Sequence, residues 1–245
     1  STQGVSSAAS DVYKRQPLDG SVQFNDAVRG EVVISNDELD DLVIARANGT
    51  PTYNFAVVVD DIDMGITHVI RGDDHLTNAA RQTQLFFALD WKPPAFCHIP
   101  LIHGSNGQKL SKRHGALGID AYQDMGYLPE ALRNYLLRLG WSHGDDEIIS
   151  IEQAIEWFDL DAVGKSPSRF DLDRLESVNQ HYLREVDTET LVELLMSRLD
   201  CTSCAVETVR KRLAAGLSSL TERAKNLNDL AEMARFYADA PTFPL

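Results

Sequence analysis

The chain has 245 residues, 43% hydrophobic and 24% charged, with a formal net charge of −14. That is enough polypeptide for two or three packed units, and its acidity excludes an indiscriminate nucleic-acid coat while leaving room for RNA on a local basic surface. No apolar run approaches the ~20 residues of a membrane span, no secretory layout opens the chain, and three cysteines make no disulfide framework and fit a reducing cytoplasm.

Ser1 to Gln16 is small, polar and unpatterned, and the composition changes at Pro17. Asp11-Val12-Tyr13-Lys14-Arg15-Gln16 resembles the in-frame translation of a transposon adaptor used in preparing sequencing libraries. Residues 1–16 are therefore read as a non-native tail outside the fold, with natural sequence expected from near Pro17. Val22-Gln23-Phe24, Val32-Val33-Ile34 and Leu42-Val43-Ile44 are β-rich runs between polar turns, and Asn48-Gly49 closes the last. They predict antiparallel strands of a small subdomain over 17–49. Thr50-Pro51 offers an N-cap and a first helical residue, and Gly65 a C-terminal stop. Val57-Val58-Val59 favours strand by propensity, but Tyr53, Val57, Asp60/Asp61 and Met64 share one helical face, so a helix is expected. Asp60, Asp61 and Asp63 lack calcium-loop spacing and read as a cap or solvated face.

Ile66 to Ile70 reads as a buried strand with Arg71-Gly72-Asp73-Asp74-His75 at its carboxyl end. Leu76, Ala79/Ala80, Thr83 and Phe87 recur at helical spacing, and Phe96 to Ile102 is a second apolar strand. Strand, helix, strand is one βαβ unit of a parallel sheet, whose crossover is expected to be right-handed. Ligands bind beyond the carboxyl ends of such strands. Arg71 as a surface partner of Asp73 or Asp74 is the bland alternative.

Lys109-Leu110-Ser111-Lys112-Arg113 follows the second strand, between Gly104 and Gly107 on one side and His114-Gly115 on the other. Cations clustered on a glycine-bounded loop suit a phosphate that gains negative charge during a reaction. A solvated basic loop or a short nucleic-acid patch is the competing reading. No Walker A spacing fits Gly104 to Ser111. Both Arg71 and this loop lie at carboxyl ends of strands and are expected to face one crevice.

Pro129 starts a helix with a Leu132, Tyr135/Leu136, Leu139 stripe, ending at Gly140. Ser150 with Gln153 resembles a capping box for a helix to Phe158, and Asp171 caps another carrying Leu172, Leu175 and Val178. From Asp187 the chain reads as helices over Leu191–Leu199, Ala205–Leu220 and Thr221–Ala238. Trp141, Trp157 and Phe158 are expected as core anchors. Cys201 and Cys204 have zinc-knuckle spacing without a second pair, so no structural zinc is expected.

Taken together, these segments closely resemble the bacterial glutamyl-tRNA synthetases, class I aminoacyl-tRNA synthetases. The residues that carry the resemblance are Gly49-Thr50-Pro51-Thr52-Tyr53-Asn54-Phe55-Ala56, Met64 to Gly72, His98-Ile99-Pro100-Leu101-Ile102, Gly126 to Leu132 and Gly140-Trp141-Ser142. Lys109 to Gly115 looks like that family's version of the class I "KMSKS" signature. One five-residue signature is weak; this many in order is specific. The resemblance implies an α/β plus all-α chain. Residues 17–49 would end the tRNA acceptor-binding insertion, and 50–104 would be the second half of a Rossmann-type catalytic domain. Residues 105–186 would hold the KMSKS loop and a helical stem-contact region, and 187–245 a truncated helical anticodon-binding domain.

Carried over by position, the resemblance implies that Tyr53 and Arg71 contact glutamate, an arginine fork suiting a carboxylate. Asp74 falls near the expected ATP and tRNA 3′ end, whereas Asp73 stands where the family usually has Glu. Leu101 and Ile102 would line the adenine pocket. Lys109 and Lys112, flanked by Ser111 and Arg113, would neutralise the ATP phosphates. The implied reaction forms glutamyl-adenylate from glutamate and ATP with Mg²⁺, then transfers glutamate to the 3′ end of tRNA(Glu), in the cytoplasm and, for the intact protein, as a monomer. The family's "HIGH" signature is not found in this sequence, so the 245 residues alone are expected not to charge tRNA. Three rivals stand beside this reading: glutamyl-queuosine tRNA(Asp) synthetase, against which the helices after Asp187 count; a glutaminyl enzyme, expected to continue into β-barrels rather than helices; and a non-catalytic tRNA-binding remnant.

Overall fold

A computed structural model describes residues 10–104, 106–110, 117–199 and 205–239. They fall into two units, one made from the described part of Ser1–Leu101 with Asp159–Ser166, the other from Ile102–Phe158 with the described part of Pro167–Leu245.

In the first unit, β2 (Ser21–Asp26) and β3 (Gly30–Ser35) form the expected antiparallel hairpin. Alternate residues Val22, Phe24 and Asp26 of β2 point inward, the period of a half-buried strand. The hairpin does not stand apart as a subdomain. It joins a four-stranded sheet in the order β3-β2-β6-β5, where β5 is His68–Gly72 and β6 is Ala95–Ile99. β5 and β6 are parallel over five residue pairs, and α2 (Leu76–Ala88) connects them, so the βαβ unit forms as expected. β2 meets β6 in parallel at a single pair, Asp26 with Phe96.

The structure corrects several readings of this unit. β1 (Val12–Lys14) pairs with β4 (Leu42–Ala45), so residues expected to form a tail take part in the fold, and β4 belongs to a separate two-stranded ribbon. Gln16 is buried, its backbone N–H donates to Asp41, and Lys14 reaches Gln84 at 3.1 Å. The helix α1 (Tyr53–Asp63) starts two residues later than expected. Thr52 is its N-cap without a side-chain cap bond, because the Thr52 hydroxyl donates to the Val43 carbonyl instead. Its buried face is Phe55, Val58 and Ile62 against Leu85 and Phe86, not Tyr53, Val57 and Met64. With three consecutive valines, several faces of α1 are about equally apolar, and packing against α2 decides between them. On α2, Phe86 is buried and Phe87 exposed, one position off the expected stripe.

The second unit is helical. α3 (Ile119–Asp124), not anticipated, precedes α4 (Pro129–Gly140), which has Pro at its first turn and buries Leu132 and Tyr135 while Leu136 stays exposed. α5 (Ile151–Trp157) carries the full capping box, with Ser150 and Gln153 exchanging bonds. Asp171 caps α6 (Leu172–Glu185) by accepting from Asp173 and Arg174. α7 (Thr188–Met196), α8 (Val206–Thr221) and α9 (Leu227–Ala238) follow. α9 starts at Leu227 rather than Thr221, because the Asn226 side chain caps it there. Cys201 and Cys204 lie outside the described residues.

The core of this unit is a leucine lattice: Leu175, Leu183, Leu195, Leu213, Leu217 and Leu230 are essentially fully buried. Each such side chain contributes about 1.5–3 kcal/mol on burial. Trp141 is a buried anchor as expected, whereas Phe158 is half exposed and Trp157 stacks on His143 at 4.2 Å.

Buried amides tie the joins to this lattice. Asn179, fully buried, accepts from the Leu128 N–H at 2.8 Å and donates to the Lys225 carbonyl at 2.7 Å. Asn179→Leu leaves both backbone groups unpaired, and is expected to cost about 2–4 kcal/mol. Chemical denaturation followed by far-UV circular dichroism checks this.

Candidate active site

Arg71 is the next-to-last residue of β5, and its guanidinium is half buried rather than solvated. Its Nε donates to His98 Nε2 at 3.1 Å and its Nη2 to Gln82 Oε1 at 2.9 Å. Gln82 in turn donates to Asn54 Oδ1 at 3.0 Å. The Phe96 ring lies under the guanidinium, 5.7 Å from its carbon. Of the two partners in the bland alternative, Asp73 is taken, since it pairs with Arg29. Burial pulls the Arg71 guanidinium below its ordinary value, with Tyr53 and Asp61 opposing. It remains a cation in any case.

Beneath Arg71, His98 and Asp26 are fully buried and 2.6 Å apart, Nδ1 to Oδ2. A guanidinium can only donate, so His98 Nε2 accepts and the ring is neutral with its proton on Nδ1. Asp26 also accepts the backbone N–H groups of Val28, Arg29 and His98. Where the β2–β6 ladder stops after one pair, the Asp26 carboxylate continues it.

Burial lowers the His98 pKa from 6.5, with Asp26 pulling it back up and Arg71 and His75 adding to the fall. Burial raises the Asp26 carboxyl, but the bonds from Arg29, His98 and Val28 outweigh it and leave it below 3.8. Both folded values lie below the unfolded ones, so the unfolded chain binds more protons on acidification. The stability linked to His98 is full above pH 6.5 and declines below it; that of Asp26 goes as the pH drops from 3.8 through its folded value. Scanning calorimetry across a pH series is expected to show a flat midpoint above neutrality and a falling one below. A midpoint that rises on mild acidification contradicts this.

Around Arg71, Tyr53 opens α1, half exposed, with its hydroxyl available to Arg71 and its ring 6.1 Å from that of His75. Asp61, also on α1, has its carboxyl pushed up by burial, with Arg71 opposing and Asp60 adding to the rise. Gly72 lets Asp74 and Leu101 approach the end of β5. A Cβ at Gly72 would lie 2.7 Å from Asp74 Oδ1 and 3.1 Å from Leu101 Cδ2. Tyr53, Arg71, Asp74 and Leu101 thus belong to one unit, with Leu101 just past the end of β6.

Lys109 belongs to the second unit. His103 and Lys109 pair as an antiparallel bridge, and the Leu110 N–H donates to the Ile102 carbonyl at 2.9 Å. The hairpin is fixed from behind, since His103 also exchanges backbone bonds with Ser168 and Phe170. It borders an open cavity of about 620 Å³ lined by Leu110, Tyr122, Arg169 and Phe170 among others. Ser111, Lys112 and Arg113 lie outside the described residues.

Asp26, Arg29, Asn54, Gln82 and His98 are site residues that the sequence pattern does not single out. A histidine inside the apolar run Phe96 to Ile99, and a glutamine between Ala80 and Leu85 on a core-facing helix, are the signals that could have found two of them.

Residues 7–177 match the family model described as tRNA synthetases class I (E and Q), catalytic domain. Glutamate–tRNA ligase 2 of Rhodospirillum rubrum is 57% identical over 225 residues, covering 91% of this chain and 48% of that protein. Glutamate–tRNA ligase 2 of Paramagnetospirillum magneticum is 60% identical over 229 residues, covering 92% and 48%. Among solved structures, a glutamate tRNA ligase from Elizabethkingia meningosepticum in complex with its amino acid aligns at a TM-score of 0.81 and 34% identity, over 94% of this chain and 49% of that one. The chain spans about half the length of the curated relatives it matches. By sequence and by fold alike, it belongs to the class I tRNA synthetases of the E and Q type.

Proposed function

We propose that the chain carries part of the glutamate- and ATP-handling machinery of a glutamate–tRNA ligase. The observation that supports this most is Arg71: a half-buried cation, anchored on two sides, at the carboxyl end of a parallel strand in a family with a solved member holding its amino acid. Arg71 binds a glutamate carboxylate through its fork, with Tyr53 beside it. Asp74 stands near the nucleotide, and Leu101 and Ile102 flank the adenine. Lys109 and Lys112, with Ser111 and Arg113, stabilise the charge on the ATP phosphates.

In the first step a glutamate carboxylate oxygen attacks the α-phosphorus of ATP, which arrives with Mg²⁺, and pyrophosphate leaves. In the second, a hydroxyl of the 3′-terminal adenosine of tRNA(Glu) attacks the acyl carbon and AMP leaves. Neither step needs a protein nucleophile, so positioning and electrostatics carry the catalysis. On the same reading, 17–49 belongs to the acceptor-binding insertion, 105–186 contacts the tRNA stem, and the helices from α7 onward belong to the anticodon-binding part.

Calorimetric titration of the chain with L-glutamate and L-glutamine, with and without ATP, tests the reading. Saturable binding that prefers glutamate supports it. Equal affinity for the two, or none for either, sinks it.

A further inference from the structure

We propose that Asp26 and His98 are positioning residues: Asp26 fixes the His98 proton on Nδ1, and the unprotonated Nε2 holds Arg71 so that only the end of its fork faces the ligand. This rests on reading Arg71 as a glutamate contact.

A guanidinium can grip a carboxylate along its side, through Nε and Nη2, or end-on, through Nη1 and Nη2. Here the side edge is already used, by His98 on Nε and by Gln82 on Nη2. End-on approach, alongside the Tyr53 hydroxyl that also bonds Arg71, is what remains. The orientation is only as firm as the acceptor state of His98, and that state is set from below. Asp26 cannot rotate away, because three backbone N–H groups hold its carboxylate in place. The imidazole is fully buried, so no water competes for either nitrogen. Phe96 beneath the guanidinium and Asn54 behind Gln82 fix the plane of the fork. Asp26 and His98 touch no substrate in this arrangement; they act through Arg71.

The discriminating substitution is Asp26→Asn. Its Oδ1 can still accept from Val28 and Arg29, but its amide N–H₂ now faces His98 Nδ1. The proton moves to Nε2, where it meets the Arg71 Nε–H donor against donor. Long-range ¹H–¹⁵N spectra of the ¹⁵N-histidine-labelled chain read the tautomer directly, with His98 assigned from His98→Gln. The expected result is the Nδ1–H tautomer in the parent and Nε2–H in Asp26→Asn. Glutamate affinity should fall about 10- to 100-fold with the tautomer, the scale of a lost hydrogen bond to a charged group.

His98→Gln covers the case in which Asp26→Asn does not fold. A glutamine can accept from Arg71 and donate to Asp26 at once, so it is expected to keep most of the affinity, whereas His98→Leu loses it. A parent chain with the proton on Nε2, or with a doubly protonated ring at neutral pH, overturns the proposal. So does a tautomer switch that leaves glutamate binding unchanged. The Nδ1–H tautomer in a parent that binds no glutamate overturns instead the glutamate reading of Arg71, and the aiming with it.

Discussion

Arg71→Leu is expected to weaken glutamate binding by about 100-fold or more, the scale of removing one partner from a desolvated, hydrogen-bonded charge pair. Three things are lost together: the positive charge, the two-pronged geometry, and the donor that satisfies His98 and Gln82. Arg71→Lys restores the charge alone. A single ammonium cannot reproduce two parallel bonds or keep both anchors, so it should recover only part of the affinity. His98 and Gln82 are themselves buried, so their abandoned acceptors lose a partner out of reach of water, and the thermal midpoint should fall along with binding. Calorimetry with L-glutamate, alongside a thermal melt of each variant, separates the two effects. Affinity unchanged in Arg71→Leu would remove the residue from the site.

Gly126→Ala is expected to destabilise the helical unit by about 2–4 kcal/mol. Gly126 ends the turn after α3 with φ of +85°, a conformation that disfavours any Cβ. The added methyl would also lie 2.7 Å from the Asn228 backbone nitrogen and 3.0 Å from that of Leu227. Neither can retreat cheaply. The Leu227 N–H donates to the Gly126 carbonyl at 2.9 Å, and Asn228 reaches back to the Asp124 carbonyl at 2.7 Å. Gly49→Ala makes the control, since that glycine has a similar φ of +83° and a methyl added to it would meet nothing within 4 Å. Urea denaturation measures both. Equal losses at the two positions would show that the close approach at Gly126 contributes nothing.

The features legible in the sequence are those whose cause lies within a few residues. The Ser150–Gln153 box, the Asp171 cap, Pro129 at a helix start and the strand–helix–strand order of 68–99 all read correctly, because donor and acceptor, or one period of a pattern, sit side by side in the chain. Arg71 stands out in the sequence by its place at a strand end and Tyr53 only through the family resemblance, and the structure places the two together. The network under Arg71 is not. Asp26 and His98 are 72 residues apart, and an aspartate before Ala27-Val28 reads as an ordinary turn residue until β2 is known to run beside β6. Residues 11–16 fail as a tail for a related reason: pairing of β1 with β4 is decided by a partner some thirty residues away, not by local pattern. The face of α1 is hidden because its run of valines offers no single apolar stripe.

The first unit is discontinuous in sequence, and this has a consequence for how the protein is made. Arg29 Nη1 donates to the carbonyl of Lys165, 136 residues further on. A ribosome emitting the chain from its N-terminus completes β6 long before Asp159–Ser166 exists, so Arg29 must wait through the synthesis of α3, α4 and α5 for that acceptor. At roughly 5–20 residues per second the delay is on the order of several seconds, during which the nascent first unit lacks its closing segment. A recombinant boundary placed after Leu101 would make that transient condition permanent.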